Sequence, residues 1–177
     1  MQRKPNIVLT GDGKGKTTSA MGMIIRAAGH GQKVCLIQFF KSGRYDYGEI
    51  AALEKLNIET HQLGAGFTWR TPKEETVTSC INAWKFALEK IFSNQYDLIV
   101  LDEVNHLFNL HKTIGETPVA PEEMVTVMRQ KPSNLALILT GRYANPLVMD
   151  AADTVSEIVC HKHHFNQGVK AAEGIEF

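Results

Sequence analysis

Thr10-Gly-Asp-Gly-Lys-Gly-Lys-Thr-Thr18 is the stretch that decides the fold. The apolar run Ile7-Val-Leu precedes it, and a helical pattern from Lys16 to Ala28 follows, stopped by Gly29-His-Gly31. A strand that breaks into a glycine-rich turn and opens directly into a helix folds its N–H groups around an anion. The helix dipole adds to that attraction. Gly11, Asp12, Gly13, Lys14, Gly15, Lys16, Thr17 and Thr18 are therefore expected to cradle the triphosphate of ATP. Lys16 would reach the phosphates as a point charge, and the Thr17 hydroxyl is placed to ligate Mg²⁺, with Mn²⁺ as an alternative. The strict phosphate-loop pattern has Gly where this chain has Thr10, so the match is a variant. A glycine-rich surface turn is the bland alternative, and the strand-before, helix-after context argues against it.

Outward from the loop, short apolar runs alternate with helical patterns. The strand candidates are Val34 to Phe39, a weaker alternating Ile58 to Leu63, Leu98 to Leu101, Leu135 to Thr140 and Thr154 to Cys160. Between them lie helices over Gly48 to Leu56, from Thr71 to about Ser93, over Pro121 to Gln130, and a short one near Pro146. Thr71-Pro-Lys-Glu74 reads as a helix start: a Thr cap, Pro at the first helical position, and Glu three after the cap. Continuously apolar strands alternating with amphipathic helices predict an α/β fold, a mainly parallel sheet covered on both faces in one domain. Ligands of such sheets bind at the carboxyl ends of the strands. Gly11 onward, Asp102-Glu103 and Thr140-Gly-Arg142 all sit at such ends.

The composition sets limits on partners. With 44% hydrophobic and 21% charged residues among 177, the chain suits a globular domain with a sizeable core. Lys+Arg and Asp+Glu both number 19, so no net field draws nucleic acid or an anionic membrane. No apolar run reaches membrane-spanning length, and none near the start suits a signal peptide, so a cytoplasmic setting is expected. Cys35, Cys80 and Cys160 form an odd set without C-x-x-C spacing, which reads as core filler in a reducing compartment.

Asp102 and Glu103 end an apolar strand, and beside a phosphate loop such an acid completes the Mg²⁺ shell. Alone, the pair would read as a solvated helix cap, and spacing leaves open which carboxylate faces the metal. Gly64-Ala-Gly-Phe67-Thr-Trp69-Arg70 puts two large aromatics in a glycine-rich stretch. Core packing is one reading; a loop beside the nucleotide that meets a flat or apolar second substrate is the other. Arg26, Lys41 and Arg142 could face the phosphates, although each alone reads as a solvated surface charge. His161-Lys-His163-His164 reads as an exposed polar strand end rather than a metal cluster, since neighbours on a strand point to opposite faces.

These residues together resemble one family, the ATP:corrinoid adenosyltransferases of the type with a phosphate loop. The resemblance runs through residues 10–18, Arg-Ala-Ala-Gly-His-Gly at 26–31, Gln38-Phe39, Gly66-Phe-Thr-Trp69, Leu101-Asp-Glu103 and Thr140-Gly-Arg142. Ala152-Asp-Thr-Val-Ser-Glu157 and the stretch from Gly168 to Phe177 complete it. It implies a RecA-like sheet, a homodimer, and transfer of the 5′-deoxyadenosyl group of ATP to the cobalt of a reduced corrinoid with release of triphosphate. A reductant protein that supplies Co(I) is a further implied partner. On that basis Lys16, Thr17, Phe67 and Trp69 are the catalytic candidates, Arg26 and Arg142 join the loop at the nucleotide, and Thr17, Asp102 and Glu103 hold the metal. Family members carry a basic segment ahead of the first strand that helps cover the corrinoid, whereas few residues precede Ile7 here. The rival reading is a phosphate-loop ATPase or kinase with another acceptor, or a nucleotide-gated binding protein.

Overall fold

A computed structural model describes residues 3–41, 47–64 and 72–176. In chain order the elements are β1 (Asn6–Thr10), α1 (Lys16–Gly29), β2 (Val34–Phe39), α2 (Gly48–Lys55), β3 (Glu59–Leu63) and α3 (Lys73–Phe92). They continue with β4 (Leu98–Asp102), a 3₁₀ turn Val104–Asn109, α4 (His111–Ile114), α5 (Pro121–Gln130), β5 (Ala136–Thr140), α6 (Pro146–Ala151), β6 (Thr154–Glu157) and a 3₁₀ turn His164–Gln167. The six strands form one sheet in the order β3-β2-β4-β5-β1-β6, and every pairing is parallel.

Side-chain alternation along the strands divides the core in two. Val8, Cys35, Ile37, Phe39, Ile99, Leu101, Leu137 and Leu139 face α3 and α5, where Trp84, Ala87, Ile91, Met124 and Met128 meet them. Leu9, Leu36, Val100 and Ile138 face the other way, onto Ala20, Met21 and Ile24 of α1 and Leu53 of α2. Each central strand is apolar on both faces because each face carries a helical layer. Trp84 Nε1 donates to Glu123 Oε2 at 3.2 Å and ties α3 to α5 at a polar edge of that core.

Several boundaries differ from expectation. The α3 helix begins at Lys73 with Pro72 in the cap position, and Thr76 N donates to Pro72 O at 2.9 Å. Pro72 thus precedes the first helical position; the expected cap, Thr71, lies outside the described residues, as do Phe67 and Trp69. The β6 strand ends at Glu157 rather than Cys160 because the chain leaves the ladder to lie over the glycine-rich loop, where Gly13 N donates to Ile158 O at 2.7 Å. Consequently His163 and His164 are not on opposite faces of a strand. Their rings stack, with centroids 4.6 Å apart. Cys35 and Cys80 are buried as expected; Cys160 is exposed and fills no core.

Candidate active site

The loop between β1 and α1 is shaped by what it must avoid. A Cβ on Gly11 would fall 2.4 Å from Ile158 O, and Gly11 holds φ +96°. A Cβ on Gly13 would fall 2.7 Å from the same carbonyl and 2.8 Å from Val159 O. Only glycine lets the loop pass this closely under the segment after β6. Thr10, the departure from the strict pattern, has a local reason: its Oγ1 accepts from Ala144 N at 3.1 Å, tying β1 to the chain that follows β5.

Lys16 is buried, and its Nζ donates to the carbonyls of Gly11 (2.7 Å) and Gly13 (2.8 Å), which draws the charge across the mouth of the loop. Burial lowers its pKa, and the nearby Glu103 carboxylate opposes that fall. Thr17 Oγ1 donates to Asp102 Oδ1 at 2.9 Å. Asp102 is fully buried and also accepts from Thr140 Oγ1 at 2.7 Å and from Gln38 Nε2 at 3.0 Å. Burial raises the Asp102 carboxyl above its ordinary value; the Thr140 hydrogen bond only partly offsets this.

Glu103 behaves differently because its backbone turns left-handed, with φ +63°. Its N–H donates to Thr140 Oγ1 at 2.9 Å, and its side chain reaches the cavity with Oε2 2.9 Å from His106 Nε2. Burial would raise this carboxyl, but His106, Lys16 and Lys41 outweigh it and hold it below its ordinary value. Glu103 is thus the carboxylate at the cavity, and Asp102 the one behind it that orients Thr17.

The cavity itself measures about 480 Å³. Asp12, Gly13, Lys14, Gly15, Lys16, Thr17 and Thr18 form its floor, and Arg142 and Lys41 add two more cations. Lys41 pairs with Glu49 at 3.0 Å, and Lys14 with Glu176 at 3.0 Å. The expected cluster is therefore assembled from the ends of β1, β4 and β5, with one exception. Arg26 is exposed in the last turn of α1, ten residues beyond Lys16, or roughly 15 Å along the axis.

Sequence reasoning missed Gln38, Glu49, Met21, His163 and the stretch Gly174 to Glu176. Gln38 carried a signal, an amide inside an otherwise apolar strand. The others reach the cavity through tertiary packing; His163 read only as part of an exposed strand end, and Gly174 to Glu176 entered only through the resemblance.

An oxygen-liganded cation fits this donor set. A hydroxyl has one proton and two lone pairs, and Thr17 spends its proton on Asp102, so its lone pairs remain available. Glu103 brings a carboxylate to the same cavity; His106 Nε2 meets its Oε2 at 2.9 Å, and a carboxylate keeps further lone pairs for a cation.

Known proteins match this chain over nearly its full length. Residues 3–177 match the family described as ATP:corrinoid adenosyltransferase BtuR/CobO/CobP. A corrinoid adenosyltransferase of Escherichia coli (strain K12) is 38% identical over 172 residues, covering 97% of this chain and 84% of that protein. Corrinoid adenosyltransferase CobA of Salmonella typhimurium is 37% identical over 172 residues, with the same coverage. A corrinoid adenosyltransferase of Pseudomonas aeruginosa is 36% identical over 174 residues, covering 97% of this chain and 82% of that protein.

Proposed function

The chain belongs to the ATP:corrinoid adenosyltransferase family, a family of transferases, and from that premise we propose how its cavity performs the transfer. The 5′-deoxyadenosyl group of ATP passes to the cobalt of a reduced corrinoid. In that step the electron pair of Co(I) forms a bond to the ribose C5′. The C5′–O bond breaks, its pair stays on the departing oxygen, and the whole triphosphate leaves while cobalt ends as Co(III). The protein needs no covalent nucleophile and no proton acceptor. Its task is to hold the leaving group and stabilise the charge that grows on it.

The observation that carries this reading is the cluster around Lys16. One buried ammonium rests on the carbonyls of Gly11 and Gly13, at the N-terminus of a 14-residue helix, with Arg142 and Lys41 on the same cavity. That is a clamp for an anion of high charge. Thr17 and Glu103 would hold Mg²⁺, with Asp102 fixing the Thr17 hydroxyl; when bound, the ion neutralises triphosphate charge. Phe67 and Trp69, by sequence alone, would cover the corrinoid's lower face. A homodimer in the cytoplasm, served by a reductant protein, completes the reading; among the described residues no helix is long and apolar enough to cross a membrane.

The test is the phosphate product. ATP, Mg²⁺ and a chemically reduced corrinoid should give intact triphosphate together with the visible spectrum of an alkylated corrinoid. ADP and inorganic phosphate would instead mean attack at the γ-phosphorus, and the rival reading.

A further inference from the structure

Lys14, Lys41 and Arg142 line the cavity beside Lys16, and the first two are already engaged. Lys41 pairs with Glu49 and Lys14 with Glu176, each at 3.0 Å, whereas Arg142 has no ion pair among the described residues. Burial first lowers the Lys16 pKa, Glu103 opposes that fall and Arg142 adds to it, so guanidinium and ammonium stand near one another. Arg142 is nonetheless exposed and sits on the turn between β5 and α6, where a long side chain has freedom unless its backbone is fixed.

That turn is held in an unfavourable backbone shape. Gly141 has φ +125°, and a Cβ there would fall 3.1 Å from Asn105 Cβ and 3.2 Å from Glu103 Oε2. Tyr143 has φ +57°, a conformation that a bulky residue rarely adopts. It is 57% exposed, so packing of its ring does not impose that backbone. Hydrogen bonds do. Asn105 Nδ2 donates to Gly141 O at 3.0 Å and Asn109 Nδ2 to Tyr143 O at 2.7 Å, so the carbonyls on either side of Arg142 are both held. The other Asn109 amide proton goes to Asn105 O at 3.0 Å, which ties the two asparagines together. Both lie in the 3₁₀ turn Val104–Asn109, whose Val104, Leu107 and Phe108 are buried in the core against α3 and α5. A core-anchored element thus grips the turn at two points, and strained backbone kept by such contacts marks a place where position matters.

We propose that Asn105 and Asn109 are positioning residues: by gripping the carbonyls of Gly141 and Tyr143, they hold Arg142 to the phosphates of the nucleotide. This rests on the cavity being the ATP site. Without the Asn109 amide, Tyr143 is free to relax to negative φ and turns the Arg142 backbone with it.

Calorimetric titration of ATP and of inorganic tripolyphosphate, each with Mg²⁺, tests this in four proteins: the unaltered chain, Asn109→Ala, Arg142→Ala and the double variant. Asn109 is half-buried and belongs to no apolar cluster, and equal circular dichroism of the four checks that they fold. Arg142→Ala should weaken both ligands by about twentyfold. Asn109→Ala should weaken both by about fivefold. Asn109→Ser, whose shorter side chain falls short of Tyr143 O, should give the same pattern. The double variant should bind no more weakly than Arg142→Ala, because the asparagine acts only through the arginine. A loss that multiplies on the Arg142→Ala background would overturn the proposal, by showing that the amide serves the fold or another part of the cavity. So would unchanged affinity in Asn109→Ala or in Arg142→Ala, or losses confined to ATP, which would place Arg142 at the nucleoside. Failure of both ligands to bind the unaltered chain would sink the nucleotide reading and the proposal together; binding with multiplying losses sinks the proposal alone.

Discussion

Thr17 Oγ1 donates to Asp102 Oδ1 across 2.9 Å, joining residues 85 apart in the chain. The bond fixes the hydroxyl's proton on one side and turns its lone pairs toward the cavity. Asp102 is saturated by three donors and lies behind the site; Glu103 lies in it. Asp102→Asn keeps an acceptor for Thr17 and Thr140 but removes the charge. It should raise the Mg²⁺ needed for half-maximal turnover by about tenfold and leave the corrinoid KM near its original value. Glu103→Gln should do so more strongly. Metal titration of both variants checks this, and a normal Mg²⁺ dependence in both refutes the assignment.

Lys16→Ala tests the clamp. Its ammonium bridges two loop carbonyls, so the loop loses a brace as well as the charge proposed to meet the leaving group. Turnover at saturating ATP should fall by about a hundredfold, or about 3 kcal/mol in the transition state. Far-ultraviolet circular dichroism should be unchanged. Undiminished adenosyl transfer would show that the ammonium plays no part in the chemistry.

What could be read in the sequence follows from how each feature is encoded. The loop between β1 and α1 was legible because its residues are contiguous: the glycines, Lys16 and Thr17 share one strand-to-helix turn. The parallel sheet was legible because Leu36, Ile37, Val100 and Leu101 must suit two apolar layers at once. The choice between Asp102 and Glu103 was not, since it depends on a left-handed residue that ends strict alternation at Glu103. Arg26 was named through the resemblance, and on α1 it lies ten residues beyond Lys16, about 15 Å along the axis from the helix end that lines the cavity. Ile175 and Glu176 were not legible as site residues because only packing brings them to the cavity, where Glu176 meets Lys14.

Glycines in and beside the loop should respond in opposite directions. In Gly13→Ala the new methyl would meet the carbonyls of Ile158 and Val159 and Ile158 Cγ2, all within 2.8 Å, and backbone atoms there have little freedom to move. The cost should be about 1–3 kcal/mol, with weaker ATP binding. Gly22, inside α1, has nothing within 4 Å of its would-be Cβ, so Gly22→Ala should stabilise by about 0.5–1 kcal/mol. Denaturant midpoints of the two variants should move to opposite sides of the unaltered protein.

Away from the cavity, Glu59 on the edge strand accepts from Lys90 Nζ (2.6 Å) and Tyr96 OH (2.6 Å), and lies 2.7 Å from His61 Nε2. Cys35 joins it with His61 to bring three potential ligand atoms within 4.8 Å of one another. Lys90 and Tyr96 already occupy the carboxylate, however, and burial pushes the Cys35 thiol up to about 12, so the cluster ties β3 to α3 and to Tyr96 rather than holding a metal. Burial would raise the Glu59 carboxyl, but the hydrogen bonds from Lys90, Tyr96 and His61 prevail and lower it from 4.5 to about 2. Its contribution is therefore fully present above pH 4.5 and is lost as pH falls through about 2. Burial, then the bond to Glu59, raises Tyr96 to about 12; its contribution is present below pH 10 and lost as pH rises through about 12. The stability gap between the unaltered protein and Glu59→Gln, followed by urea unfolding, should close between pH 4.5 and 2. A gap that persists unchanged at the acid end contradicts the network.

The last prediction concerns Phe67 and Trp69, the pair proposed to separate corrinoid chemistry from ordinary ATP hydrolysis. The chain enters their segment at Gly64, where a Cβ would fall 2.8 Å from the Phe40 backbone. Phe40 meets His106 edge to face at 6.0 Å, and His106 pairs with Glu103, so the entry to that segment is packed against the nucleotide site. Co(II) corrinoids keep a lower axial ligand that favours the oxidised metal, and a protein alters the potential by controlling that ligand. Apolar rings on the lower face would exclude both water and the corrinoid's own base. Reduction then becomes easier by about 59 mV for each tenfold preference for the four-coordinate form. Each ring can bury roughly 150–250 Å², enough to seal one face. Phe67→Ala combined with Trp69→Ala should therefore lose most activity when the enzyme starts from Co(II) and a mild reductant. Supplied with pre-formed Co(I), the same variant should recover much of that loss, because Lys16, Thr17 and Glu103 are untouched. Equal impairment in both assays would mean that the aromatics only pack or bind, and the axial-ligand account would fail.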